Sequence, residues 1–241
     1  MIDGHIHVGR WSERFFGLDV RLAEVDEVLA ECGLEGAAVT ATDLRDNESL
    51  LRQIENAQLK YWFFPWINPG TGDDLRRLEE WGGTVAGLKF HPSCDEVRIT
   101  DTRAEPYLEY AREQNLPVLV HCGRWQEMSS YRYALEAAST HPDVRFVLAH
   151  MGGDQPTLVR ATTEALGSSG PKNVWLGTEG IREYWLIRNA METVGPQRMI
   201  WGSDFPIAHP RMYLGLLEAL CPTDEERRWM GREAFLSVVA G

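Results

Sequence analysis

The sequence predicts a compact α/β chain folded as a (β/α)8 TIM barrel, with its functional residues at the C-terminal face of the strands. Three observations predict it. Strand and helix patterns alternate along all 241 residues. Candidate strands end near His7, Thr40, Ile67, His91, His121, His150, Thr178 and Asp204, 24 to 33 residues apart, and each interval fits one strand, one helix and two short loops. Several of those ends carry His or Asp, and the C-terminal ends of barrel strands are where active sites lie.

The first strand is Ile2-Asp3-Gly4-His5-Ile6-His7. Alternation puts Asp3, His5 and His7 on one face, and two imidazoles side by side at a strand end make half of a metal site. In the loop that follows, Arg10 is placed to hold a carboxylate and Trp11 begins an aromatic wall. Residues 20–32 and 46–58 have amphipathic spacing, the second with Asp46 or Asn47 as N-cap. In Gly87-Leu88-Lys89-Phe90-His91, Lys89 and His91 share parity, and both are candidate wall or substrate contacts. The run Pro117-Val118-Leu119-Val120-His121 ends in a histidine facing the same way as Leu119. Arg124 and Trp125 follow, one suited to a carboxylate and the other to stacking on a planar substrate. Solvation of the arginines and packing of the tryptophans compete with those uses.

On the sixth strand, alternation turns Phe146, Leu148 and His150 inward and leaves His141 at the far end in a structural role. Glu179, past the seventh strand, either faces the site or pairs with Arg182. The eighth strand turns Ile200, Gly202 and Asp204 inward, and His209 beyond it suits a helix start. Thr223-Asp224-Glu225-Glu226 caps a final helix carrying Trp229, Phe235, Leu236 and Val239.

Composition narrows the function. A hydrophobic content of 44% over this length supports one domain spanning residues 1–241. The formal net charge of −12 argues against nucleic acid and anionic membrane surfaces as partners. No apolar run approaches the roughly 20 residues of a membrane span. Cys32, Cys94, Cys122 and Cys221 form no CxxC pair or disulfide framework, and with no signal peptide evident the expected location is the cytoplasm. An open doubly wound sheet is the competing fold, but the first turn lacks G-x-G-x-x-G, and ligands from strands one, five, six and eight converge better in a closed barrel.

Buried His and Asp side chains need partners, and a divalent ion supplies one. Neutral imidazoles with a carboxylate suit Zn²⁺ first, and also Mn²⁺, Fe²⁺ or Co²⁺. A catalytic ion lowers the pKa of water, and an unligated His or Asp nearby can move the proton.

The sequence resembles the amidohydrolase superfamily, within it the amidohydrolase-related group that includes aminocarboxymuconate-semialdehyde decarboxylase. The resemblance rests on Ile2-Asp3-Gly4-His5-Ile6-His7, Gly87-Leu88-Lys89-Phe90-His91-Pro92, Val120-His121-Cys122-Gly123, His150-Met151-Gly152-Gly153 and Trp201-Gly202-Ser203-Asp204-Phe205-Pro206, in family order from end to end. It implies that His5, His7, His121 and Asp204 bind one metal, that His150 is the unligated catalytic histidine, and that Asp204 also shuttles a proton. In binuclear members a carbamylated Lys bridges two metals near the place of Lys89; the G-x-K-x-x-P stretch here favours the mononuclear arrangement, in which Lys89 contacts substrate or wall.

Hydrolysis of an amide, lactone or ester in a small, carboxylate-bearing substrate is the leading expectation. Non-oxidative decarboxylation of an unsaturated or aromatic acid is the alternative, since the same ligands serve both. A non-catalytic binding barrel is a third, which the full set of His5, His7, His121, His150 and Asp204 argues against. Short βα loops leave either an open mouth or one completed in a homodimer.

Overall fold

The computed structural model describes residues 1–240 and arranges them as eight parallel strands around a central axis, each followed by a helix. The strands are β1 (Ile2–His7), β2 (Gly36–Thr40), β3 in two pieces (Lys60–Phe63 and Trp66–Ile67), β4 (Leu88–Phe90), β5 (Val118–Val120), β6 (Phe146–Leu148), β7 (Val174–Gly177) and β8 (Met199–Ile200). The helices that cover them are α1 (Leu22–Glu31), α2 (Asn47–Ile54), α3 (Asp74–Trp81), α4 (Glu105–Glu113), α5 (Tyr131–Thr140), α6 (Pro156–Ser168), α7 (Tyr184–Val194) and α8 (Pro210–Leu220).

Neighbouring strands pair in parallel from β1 round to β8. Pro65 splits β3, since it has no N–H to donate to a ladder, and Phe63 bridges to Val85 before β3 resumes at Trp66. Closure of β8 on β1 rests on Gly4 N–H donating to the Trp201 carbonyl (2.9 Å) and Asp204 N–H donating to the His5 carbonyl (3.0 Å). His7 N–H completes the seam on the Phe205 carbonyl (2.7 Å). Helix starts follow local chemistry: the Asp46 carboxylate accepts from Ser49 N–H at 3.0 Å, and Thr223 and Glu226 form the expected capping box.

Two apolar layers result. Between strands and helices lie Ile6, Val25, Leu29, Leu50, Leu108, Phe146, Leu148 and Leu186 among others. Inside the barrel, at its N-terminal end, Ile2, Ala38, Phe64, Leu119, Val147 and Ile200 meet Ala234, Phe235 and Val238. The expected final helix is interrupted by a wide turn over Trp229–Glu233, and its last part, Ala234–Ala240, plugs the bottom of the barrel. Arg145 fixes the plug by donating to the Val238 carbonyl at 2.8 Å.

Strand parity differs from the alternation rule in two places. In β1 a register shift between Asp3 and Ile6 lets Ile2 face inward and Ile6 outward. In β6 the inward residues are Val147 and Ala149, and Phe146 and Leu148 face the helices. His150 still enters the site because it and Met151 adopt left-handed backbone angles (φ 56° and 53°), which break the alternation. No helix among the described residues is long and apolar enough to cross a membrane.

Candidate metal centre

At the C-terminal mouth, His5, His7 and Asp204 each bring a ligand atom to within 4.8 Å of the others. His7 Nε2 lies 3.4 Å from Asp204 Oδ1. Two residues of the β1 end supply the imidazoles, and the carboxylate comes from the loop after β8, where Asp204 itself has φ 61°. Asp3 ties these segments together, because its Oδ1 accepts from the main-chain N–H of His5 (3.2 Å) and of Ser203 (2.9 Å). Its Oδ2 is buried without a partner, and burial raises its pKa to about 7.

Hydrogen bonding assigns the tautomers. His7 Nδ1 donates to the Ala41 carbonyl at 2.8 Å, which leaves Nε2 as a lone pair toward Asp204. His5 Nδ1 donates to Glu179 Oε1 at 2.9 Å, and its Nε2 accepts from Lys89 Nζ at 3.2 Å. His150 Nδ1 donates to the Glu179 carbonyl at 3.0 Å, so its Nε2 accepts from His121 Nδ1 at 3.2 Å. Burial, reinforced by neighbouring cations, holds the pKa values of His5, His91 and His121 well below 6.5, so these rings are neutral. Burial also pushes Asp204 up, but its contact with His7 and the nearby Lys89 ammonium outweigh it and leave the carboxyl below its ordinary value. Lys89 is fully buried, and its pKa falls to about 8.

The residues present fit a divalent ion. Two imidazoles have their Nδ1 atoms anchored by acceptors and their Nε2 atoms free of protons, beside one ionised carboxylate, which is the donor set of a zinc-type site. His121, the fourth expected ligand, lies outside this cluster. Its ring stacks on His91 (centroids 3.7 Å apart, planes 12° apart), and its Nδ1 is taken by His150. His91 in turn stacks on Trp66 (4.9 Å, 6°). Its Nδ1 accepts from Cys94 N–H at 3.3 Å, and Cys94 Sγ lies 3.8 Å from its Nε2.

The remaining expected contacts divide. Trp11 is buried with its ring 4.9 Å from that of His7, and its indole N–H has no partner. Ser12 holds the loop in place, its N–H and hydroxyl both donating to Asp43. Arg10 is not brought to the cluster: it pairs with Asp19 in a short hairpin, is 67% exposed beside Glu13, and lines a groove against α2. Arg124 is also exposed, and donates to Asp154 at 2.7 Å; Trp125 is 67% exposed on the rim. His209 caps α8 by accepting from Arg211 N–H, and His141 bonds the Ala137 carbonyl and Glu105, both structural uses. Glu179 proves to be a buried anchor for His5 and does not pair with Arg182. A carboxylate between glycines at a strand end, Gly177-Thr178-Glu179-Gly180, was the available signal.

An amidohydrolase family model matches residues 2–234. The chain belongs to the amidohydrolase family. Solved structures similar to this amidohydrolase include an amidohydrolase from Burkholderia multivorans with bound zinc (17% identity, TM-score 0.80, covering 99% of this chain and 98% of that one). Another is 5-carboxyvanillate decarboxylase from Sphingomonas paucimobilis (13%, 0.75, 100% and 98%). A third is a putative 2-pyrone-4,6-dicarboxylic acid hydrolase from Pseudomonas putida (19%, 0.75, 99% and 97%). No curated protein matches this amidohydrolase in sequence. At these identities the structural likeness bears on the barrel alone, and membership of a metal-dependent enzyme superfamily rests on the family match.

Proposed function

We propose that the protein is a cytoplasmic, metal-dependent hydrolase that opens an amide, lactone or ester bond in a small, carboxylate-bearing substrate. The observation that carries this reading is the orientation of His150. Its Nδ1 is tied to a main-chain carbonyl, so its Nε2 is the basic nitrogen, and its ring centroid lies 6.3 Å from that of His5. One divalent ion, Zn²⁺ by preference, would be held by His5, His7 and Asp204, with His121 joining if its ring leaves His91; it would supply Lewis-acid polarisation of a carbonyl and lower the pKa of water. His150 takes a proton from water at Nε2, a position that His121 vacates if its ring turns to the ion, and the same proton passes by way of the Asp204 carboxylate to the leaving group. One ion is proposed over two, held by the donor cluster at this end of the barrel.

A specific observation favours a second reading, decarboxylation of an aromatic or unsaturated acid. Trp11, Trp66, His91 and His121 wall the site with flat rings suited to a planar substrate, and a decarboxylase stands among the similar structures. Against it, neither Arg10 nor Arg124 points a guanidinium into that wall. The deciding experiment presents metal-loaded protein with a panel of lactones, amides, esters and unsaturated acids, and measures acid release beside carbon dioxide release. Acid release supports the hydrolase, carbon dioxide the decarboxylase, and neither product sinks both.

A further inference from the structure

Glu179 touches two imidazoles of the site with two different groups. Its carboxylate Oε1 accepts from His5 Nδ1 at 2.9 Å, and its main-chain carbonyl accepts from His150 Nδ1 at 3.0 Å. A carbonyl can only accept, as can a carboxylate in its ionised form, so each places the proton on Nδ1 and leaves Nε2 as a lone pair. The side chain is 1% exposed and deep in the wall of the barrel, where an unpaired carboxylate would be costly.

The space around that carboxylate is built from missing side chains. A Cβ on Gly177 would run into Glu179 Oε2, and one on Gly202 of the neighbouring segment would stand 3.4 Å from the same oxygen. Gly180, with φ +77°, carries the chain round to the carbonyl, and a Cβ there would press on His150 Nδ1 at 2.9 Å. Gly177 thus clears a slot for the carboxylate and Gly180 a face for His150, while Gly202 leaves ordinary contact distance to the same oxygen.

We propose that Glu179 is a positioning residue that sets both imidazoles, holding His5 with its carboxylate and His150 with its main-chain carbonyl, in a slot that Gly177 keeps open for it. The proposal deepens the reading of His5 as a metal ligand and His150 as a base, and rests on it for its consequence in catalysis. It separates the two imidazoles: side-chain substitutions reach His5 alone, and only a change in the backbone path reaches His150.

The test uses two variants, Glu179→Leu and Gly177→Ala, each against the wild type with ¹⁵N-labelled histidine. On metal-free protein, NMR reads which ring nitrogen carries the proton. The expected result is Nδ1-protonated His5 in the wild type, mixed tautomers of His5 in both variants, and unchanged His150 throughout. Titration with Mn²⁺ or Zn²⁺ should then show affinity 10 to 100-fold weaker in Glu179→Leu, with Glu179→Gln in between because its amide oxygen still accepts. If Glu179→Leu fails to fold, Gly177→Ala gives the tautomer readout and Glu179→Gln the affinity readout. A His5 tautomer unchanged in every folded variant overturns the proposal. A wild type that takes no metal would instead defeat the proposed function, while the tautomer measurement would still decide the role of Glu179.

Discussion

The imidazole of His121 lies flat on that of His91, with centroids 3.7 Å apart and planes 12° apart. Two charged rings would repel at that distance, and burial keeps both neutral. The stack continues to Trp66, whose indole N–H donates to Asp95 at 3.0 Å, and Asp95 is gripped by Arg45 at 2.8 Å. His121 is therefore held at the end of a stiff aromatic column, and the column points its Nδ1 at His150 Nε2.

If stacking is what His91 contributes, a flat apolar ring will serve. His91→Phe is expected to keep turnover within about threefold of wild type, and His91→Ala to lose about tenfold or more as His121 is released, in line with the 1.4 kcal/mol that a tenfold change represents. Steady-state turnover with metal content measured in parallel decides it. Equal losses in both variants would assign His91 a polar contact with substrate instead.

Trp11 has a buried indole N–H with no acceptor, beside His7, and such a group costs free energy until something fills the need. A substrate oxygen is the acceptor expected. Trp11→Phe should raise KM about tenfold or more, as befits a lost hydrogen bond to a charged oxygen worth about 1.5–3 kcal/mol, with metal affinity unchanged. An unaltered KM would return Trp11 to a packing role.

The barrel was legible because its signal is repeated: eight strand ends at near-regular spacing, each followed by an amphipathic stretch, leave few alternatives. His5, His7 and Asp204 were legible for the same reason, since each sits where a barrel concentrates its chemistry. Alternation failed at β6, where His150 arrives through a left-handed backbone and not through strand parity, a conformation that no residue in 144–150 announces. Arg10 misled because a charge three residues past a strand end can turn away as easily as inward, and the hairpin with Asp19 turned it toward α2. The stacking that keeps His121 from the cluster depends on Trp66, 55 positions earlier, and local patterns carry no information at that range.

Asp95 gives a test of the column by pH. Burial raises its pKa from 3.8 to about 6, against the opposing pull of Trp66 and Arg45. A carboxyl whose folded pKa exceeds its unfolded value favours the fold fully below the unfolded pKa, and that contribution is lost as pH rises through the folded pKa. Stability is thus expected to drop by about 2–3 kcal/mol between roughly pH 4 and 6 on account of this group. Asp95→Asn should lose that part of the slope in urea unfolding across the same window. A slope identical to wild type would mean that the carboxyl is not buried as described.

Lys89 raises the sharpest question about metal loading. Its ammonium donates to His5 Nε2 at 3.2 Å, the lone pair that a metal ion would take. A buried cation there opposes a second cation both by charge and by occupying the donor. Because burial lowers the Lys89 pKa to about 8, the ammonium is present at neutral pH and is lost as pH rises through that value. Apparent metal affinity should therefore climb by up to about tenfold per pH unit below pH 8 and flatten above it. Lys89→Met keeps an unbranched chain of similar length and removes the charge, so it should bind Mn²⁺ or Zn²⁺ more tightly at pH 7 and lose the inflection near pH 8. Competition titrations with a chromophoric chelator between pH 6.5 and 8.5 measure both effects. Weaker binding by Lys89→Met would reverse the argument, placing the Lys89 nitrogen among the groups that hold the metal and favouring a bridged pair of ions over a single one.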